Sequence, residues 1–351
     1  MSFDMNDTVI FSKKDNKRTD DVTCELSGRL GNHMFQLAHL LIYADRHHLR
    51  PVLDKAWVFE TTFPNVMKHI SVDSRGVYPK WYVLRRHDPV LQWYKAAAKP
   101  HVWTRHANVI WLAGRFQSHM YFLTYEDAVR RLFQPSLSIN DRARQRIQQH
   151  RLDAPVGSVL CSVHVRLTDY GNCWPRTRIG QLGSRYYTNA LKKMTDLCRP
   201  AHVRFLIFTD DPTHCRKLSW SAFNCFDTVM ASDERSIDPS DDMFAMSACD
   251  THILANATYA WWAAWLNTRP SRIVVMPSVW FASPLMIDPT LAMKGWHRVT
   301  SDAYLSWPFA INHLLVLVFL MMCIYGLVCV RKRFIRLFHS RVLSSVEGHI
   351  P

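Results

Sequence analysis

The segment His164-Val165-Arg166-Leu167-Thr168-Asp169-Tyr170 closes the most regular apolar run of the chain, Val159 to Val165. An arginine at a strand terminus can fork onto a pyrophosphate through two parallel charge-assisted hydrogen bonds. Asp169 then caps the following turn or orients Arg166; a plain Arg–Asp surface pair is the alternative. Gly28-Arg29-Leu30-Gly31-Asn32 stands between another apolar run and a helical pattern. Two glycines there let the backbone turn sharply and approach a ligand. Gly31 and Asn32 would sit among the helix amides that face it; a tight turn without a ligand is the alternative. In Phe208-Thr209-Asp210-Asp211-Pro212, Asp211 suits an N-cap with Pro212 at the first helical position. Asp210 is then the residue freer to meet a ribose or base.

The most specific stretch runs from Asp241-Asp242 through Ala255-Asn256-Ala257-Thr258 to Trp261-Trp262-Ala263-Ala264-Trp265-Leu266. It reads as helix, strand, polar turn and helix. Asn256 and Thr258 lie where a helix begins, so a hydroxyl and free amides form a phosphate site. A carboxylate such as Asp242 can accept both N–H donors of a guanine edge. The near-helical spacing of Trp261, Trp262 and Trp265 points to core rather than to stacking on a sugar.

These residues all lie at the ends of short β-rich runs, which alternate with helical patterns as in a parallel α/β sheet. The expected strands are Val22–Ser27, Pro51–Asp54, Val109–Ala113, Val159–Val165, Arg204–Phe208, Thr251–Ala255 and Arg272–Met276. Helices are expected at about 33–48, 140–149, 184–197, 242–249 and 259–267. Residues 55–108 show weak periodicity and read as irregular insertions. The Pro/Gly pair in Asp153-Ala154-Pro155-Val156-Gly157 sets a boundary. The reading is a polar tail at 1–21, an α/β half at 22–150, a second at 151–305 and a cleft between them. Ligands of such sheets bind outside the carboxyl ends of the strands.

The formal charge of +14 over 351 residues suits nucleic acid, an anionic membrane or a phosphate-bearing small molecule. No long Lys/Arg run, zinc-finger pattern or RNP-like pattern supports nucleic acid. Among the nine cysteines there is no C-x-x-C, which argues against structural zinc. Cys198, Cys215 and Cys225 either staple a loop or remain buried thiols. The polar start of the chain shows no signal peptide. Phe309 to Val330 has no formal charge and suffices for a membrane helix, which takes about 20 residues. Trp307 and Arg331-Lys332-Arg333 flank it as interfacial anchors would, and 331–351 forms a basic tail. The basic flank favours a cytosolic tail, which puts residues 1–308 in a lumen without a visible export signal; a tail-anchored cytosolic domain, against the charge rule, and an incomplete start of the chain are the alternatives.

In this order the motifs resemble the alpha-1,2-fucosyltransferase family, glycosyltransferase family 11. The family's G-R-L-G-N-x-M-F-Q is matched at Gly28 to Gln36, and its H-x-R-x-x-D at His164 to Asp169. The helix ending in C-D, the strand, N-x-[ST] and W-W-A-A are matched at Asp242 to Leu266, and the closing apolar-Pro…Trp segment at Val275 to Trp280. The resemblance implies a GT-B-like fold with two Rossmann-like halves, a GDP-fucose donor and no metal; the sequence also contains no D-x-D. It implies that Arg166 holds the β-phosphate, His164 and Asp242 the nucleoside, and Thr258 a phosphate. It also implies inverting transfer to the 2-hydroxyl of galactose on a glycan, at a Golgi membrane. Asp169 and His33 are the candidates for the base. Two departures stand out: Arg166-Leu167-Thr168-Asp169 replaces the usual Arg-Arg-Gly-Asp, and the apolar anchor lies at the C-terminal rather than the N-terminal end. They motivate two alternatives, a catalytically degenerate homologue that binds glycans or partners and a transferase with another sugar-nucleotide donor.

Overall fold

Val22, Thr23 and Cys24 are all buried in β1 (Asp21–Cys24), as a strand covered on both faces requires. The chain then turns into α1 (Leu30–Arg46), whose buried residues include Met34, Phe35, Leu37, Ala38, Leu41 and Ile42. β2 (Arg50–Leu53), β3 (Ser71–Val72), β4 (His101–His106) and β5 (Val109–Ala113) complete a sheet of order β3-β2-β1-β5-β4. Its pairings are parallel except for β4, which runs antiparallel to β5. The structure, a computed structural model, describes residues 20–73, 101–106, 109–168, 182–218, 221–232, 238–281, 291–301 and 321–322.

Two helices follow, α2 (Glu126–Leu132) and α3 (Leu137–Leu152). The second sheet is built from β6 (Val159–Val165), α4 (Ser184–Cys198), β7 (Val203–Thr209), α5 (Pro212–Lys217), α6 (Ser221–Asn224) and β8 (Thr228–Met230). It continues with α7 (Pro239–Ala248), β9 (Thr251–Ile253), α8 (Thr258–Leu266), β10 (Val274–Pro277) and β11 (His297–Val299). All its pairings are parallel, in the order β11-β10-β9-β6-β7-β8. The chain winds outward from β6 to β8, then returns to β6's other side at β9. β6 and β9 therefore flank the point where strand order reverses, where doubly wound sheets bind ligands. In the first sheet the corresponding reversal lies between β1 and β5.

One apolar cluster joins the two sheets. Trp261, Trp262 and Trp265 on α8 are 0% exposed, so the core reading of these residues holds. Phe35 of α1, Phe122 and Phe133 surround Trp262 at ring-centroid distances of 4.8, 5.5 and 5.2 Å. On the other side, α3 packs along α7 through Arg142–Asp241 at 2.7 Å and Arg146–Asp242 at 2.8 Å, and Arg151 bonds both oxygens of Asp250 just beyond α7. Both sheets accordingly belong to one compact unit, Met1–Ala303; Tyr304–Pro351 forms a second.

Three expectations need correction or lie elsewhere. Residues 55–108 are not wholly irregular, because they supply β3, β4 and a 3-10 turn at Val66–Lys68. Of the two readings of Cys198, Cys215 and Cys225, the structure has the free thiols and not the loop staple, but only Cys215 is buried; Cys198 lies 3.8 Å from the Met194 sulfur. The apolar run Phe309–Val330 falls outside the described residues apart from Met321 and Met322. Among the described residues no helix is long and apolar enough to cross a membrane.

Candidate functional site

Arg166 leaves the carboxyl end of β6 with its side chain only 12% exposed, and its Nη1 lies 3.1 Å from Asp210 Oδ2. Asp210 follows β7, the parallel neighbour of β6. The same carboxylate accepts the Leu167 N–H at 2.8 Å, the Thr168 N–H at 3.3 Å and the Thr168 hydroxyl. Arg29, at the start of α1, approaches it at 3.9 Å. Burial pushes the Asp210 carboxyl up, but the Arg166 charge, the Thr168 hydroxyl and the Leu167 N–H outweigh it and hold the group below its ordinary value. Asp210, expected to meet the ribose or base, thus organises Arg166 and its loop. Asp211 caps α5, accepting the His214 N–H at 2.8 Å with Pro212 at the helix start.

His164 lies two residues earlier, within β6, and is 3% exposed. Burial pushes its imidazole down to about 3, with Arg166 adding to the shift and Asp210 opposing it. The ring is therefore neutral at pH 7, and its Nδ1 is buried without a hydrogen-bond partner among the described residues. It lies 5.5 Å from the Tyr259 ring, centroid to centroid. The backbone carbonyl of His164 is held by the Tyr187 hydroxyl at 3.0 Å. Asp169 lies outside the described residues.

Across from β6, the end of β9 leads through Asn256 to Thr258, the first residue of α8. Asn256 is turned into the protein, donating its amide to the Trp280 carbonyl at 3.1 Å. The Thr258 hydroxyl donates to Asn32 Oδ1 at 3.1 Å, and Gln117 Nε2 donates to the same oxygen at 2.6 Å. Asn32 belongs to the first turn of α1 and Gln117 to the segment after β5. The strand ends of both sheets therefore meet at one amide.

Gly31 takes a different part from the one its motif suggested. A Cβ on it would stand 2.6 Å from the Tyr259 nitrogen and 2.7 Å from the Thr258 carbonyl carbon. The missing side chain makes room for the start of α8. Trp262 Nε1 completes the contact by donating to the Gly31 carbonyl at 2.9 Å. Gly28 is the other demanding position, with φ +92° at the turn out of β1.

Asp242 is likewise engaged within the protein. Oδ1 accepts from Arg146 at 2.8 Å and Oδ2 accepts the Ser232 hydroxyl. Ser232 in turn accepts the Thr209 N–H at 2.8 Å, which fixes the end of β7 directly before Asp210. His33 is committed too: Trp57 Nε1 donates to its Nδ1 at 3.2 Å. Burial lowers the pKa of the His33 ring, and a hydrogen bond to the Gly28 backbone pulls the other way. The Nδ1 lone pair is thus taken by Trp57 in this conformation.

Sequence reasoning gave no part to Gln36, Gln117, Ser232 or Arg146. Gln36 is buried in α1; it accepts the Ser27 N–H at 3.0 Å and donates to the carbonyls of Glu25 and Gly114, each at 3.0 Å. It locks together the segments leaving β1 and β5. A long polar residue one turn beyond Asn32, on an otherwise buried helix, was the available signal.

The profile of glycosyl transferase family 11 matches residues 6–300. The Alpha-1,2-colitosyltransferase of Escherichia coli is 30% identical over 187 residues, 53% of this chain and 61% of that protein. The chain thus spans less than two thirds of that relative's length. The Galactoside alpha-(1,2)-fucosyltransferase 1 of Saimiri boliviensis boliviensis is 25% identical over 297 residues, 81% of this chain and 76% of that protein. Among solved structures, fucosyltransferase NodZ from Bradyrhizobium superposes with a TM-score of 0.42 at 18% identity, covering 71% of this chain and 93% of NodZ. With the profile running through both sheets, the chain belongs to glycosyl transferase family 11.

Proposed function

We propose that the protein is a galactoside 2-alpha-L-fucosyltransferase that works in a GT-B-like cleft at the meeting strand ends. The acceptor 2-hydroxyl oxygen attacks C1 of the fucose in GDP-β-L-fucose. The bond from C1 to the β-phosphate oxygen breaks on the opposite face, GDP departs, and the linkage inverts to α. The observation that carries this reading is Arg166, set by Asp210 at the carboxyl end of β6, where strand order reverses.

In this reading the Arg166 guanidinium neutralises the charge that grows on the leaving β-phosphate, a task for fixed donors in a site shielded from water. No metal is required for it. The Thr258 hydroxyl turns from Asn32 to a phosphate oxygen when the donor enters, and the N-terminus of α8 adds its amides. His164 and Asp242 face the nucleoside; each Asp242 oxygen retains a second lone pair beyond its bond to Arg146 or Ser232. Asp169 takes the acceptor proton. The uncharged run Phe309–Val330 with Arg331-Lys332-Arg333 supports attachment to a membrane, in the Golgi by family likeness.

The test is transfer of labelled fucose from GDP-fucose to a panel of β-galactosides by the full chain in detergent, with an α-1,2-specific fucosidase checking the linkage. Labelled product released by that enzyme is the expected result. The likeness to a colitosyltransferase motivates a second reading, a different donor sugar. Product from another sugar nucleotide and none from GDP-fucose would favour it. Absence of both transfer and GDP binding would favour a degenerate homologue.

A further inference from the structure

Leu167 and Thr168 are the two positions where the arginine segment departs from Arg-Arg-Gly-Asp, and both have definite tasks. Leu167 is 2% exposed and shares an apolar cluster with Val165, Leu182 and Tyr187. Its side chain pins the segment after β6 into the core, where an arginine would be costly to bury. Its N–H then meets Asp210 Oδ1 at 2.8 Å. Thr168 supplies two donors to Oδ2, its N–H and its hydroxyl, and that oxygen also faces Arg166 Nη1 at 3.1 Å. A glycine at 168 has no hydroxyl to give. The carboxylate is thus fixed from three directions before the guanidinium leans on it.

We propose that Leu167 and Thr168 form a brace that presets Arg166, acting through Asp210 to hold the guanidinium in one orientation before the donor arrives. The inference rests on the phosphate role given to Arg166 above. An arginine side chain has many rotamers, and a preset one loses less freedom when it grips a phosphate. Leu167 and Thr168 thereby favour one orientation of Arg166. Leu167, Thr168 and Asp210 are positioning residues; Arg166 is the group that touches substrate.

The experiment compares the full-length protein with Thr168→Val, which keeps the shape and removes the hydroxyl, and Thr168→Ser, which restores it. Thr168→Val should lower kcat about tenfold, the size of one hydrogen bond to a charged group, with the acceptor KM unchanged and the melting temperature lowered by only a few degrees. Thr168→Ser should return kcat to the wild-type value. Unchanged kcat in Thr168→Val, or no rescue by Thr168→Ser, overturns the brace while leaving the transferase reading intact. If the wild type transfers no fucose, titration with GDP decides: Thr168→Val should bind it about tenfold more weakly, and equal affinity overturns the brace. A wild type that neither transfers fucose nor binds GDP overturns the phosphate role and the brace together.

Discussion

The Thr258 hydroxyl donates to Asn32 Oδ1 at 3.1 Å, joining the first residue of α8 to the first turn of α1. Asn32 follows β1 of one sheet and Thr258 follows β9 of the other. Gln117 donates to the same oxygen from the segment after β5. This amide fixes how closely the strand ends approach, and Gly31 beneath it makes the approach sterically possible.

Gly31→Ala should therefore destabilise the fold by about 1–3 kcal/mol, because the new methyl meets backbone atoms of Thr258 and Tyr259 that have no rotamer to yield. Thermal melting of the full chain measures this. A melting temperature equal to the wild type's would show that α1 and α8 are not packed this closely.

Gln36→Leu should cost about 2–4 kcal/mol. It keeps much of the volume but leaves the Glu25 and Gly114 carbonyls and the Ser27 N–H without their partner. Urea unfolding reads the loss. A change below about 0.5 kcal/mol, the range of an ordinary surface substitution, would contradict the clamp.

Acid should destabilise the protein well above the carboxylate range. Burial pushes His39, His164 and His252 each down to about 3, so all three are neutral in the fold. Their unfolded imidazoles take up a proton near pH 6.5. Between those values the unfolded chain binds more protons, so stability is full above pH 6.5 and falls as pH drops from there toward 3. Melting temperatures at pH 7, 6 and 5 should decline in order; a flat series would contradict the buried neutral histidines.

His39 offers a sharper version of that test. Both its ring nitrogens are buried without hydrogen-bond partners among the described residues, while the ring stacks on Phe116 at a centroid distance of 4.1 Å. His39→Phe keeps an aromatic ring and removes two unsatisfied polar atoms and one proton site. It should raise the melting temperature at pH 7 and flatten the decline toward pH 5. A lower melting temperature at both pH values would contradict this assignment.

Several strands were legible because buried strands are continuous apolar runs; β5 of the first sheet and β6 of the second have the bounds expected from their residues. β3, β8 and β11 have two or three residues each and show no period to read. β4 mixes His, Trp, Thr and Arg and pairs only at a sheet edge, so its composition resembled a loop. For the site, Arg166, Asp210 and Thr258 stood out because each follows a strand. What Gly31 and Asp242 touch was not legible. Their partners, Tyr259 for one and Arg146 with Ser232 for the other, are brought in by helix packing that no local pattern encodes. At these two positions the same glycine and carboxylate that mark the motifs also make contacts that hold the fold together.

The central claim is that Arg166 stabilises a departing nucleoside diphosphate. The most direct measurement is fucose transfer from GDP-fucose to β-galactosides by the wild type and Arg166→Ala, with melting curves alongside. Removing the main donor to a developing anionic charge should lower kcat by about 100-fold or more, with a folded protein remaining. Transfer by Arg166→Ala at the wild-type rate would contradict the account.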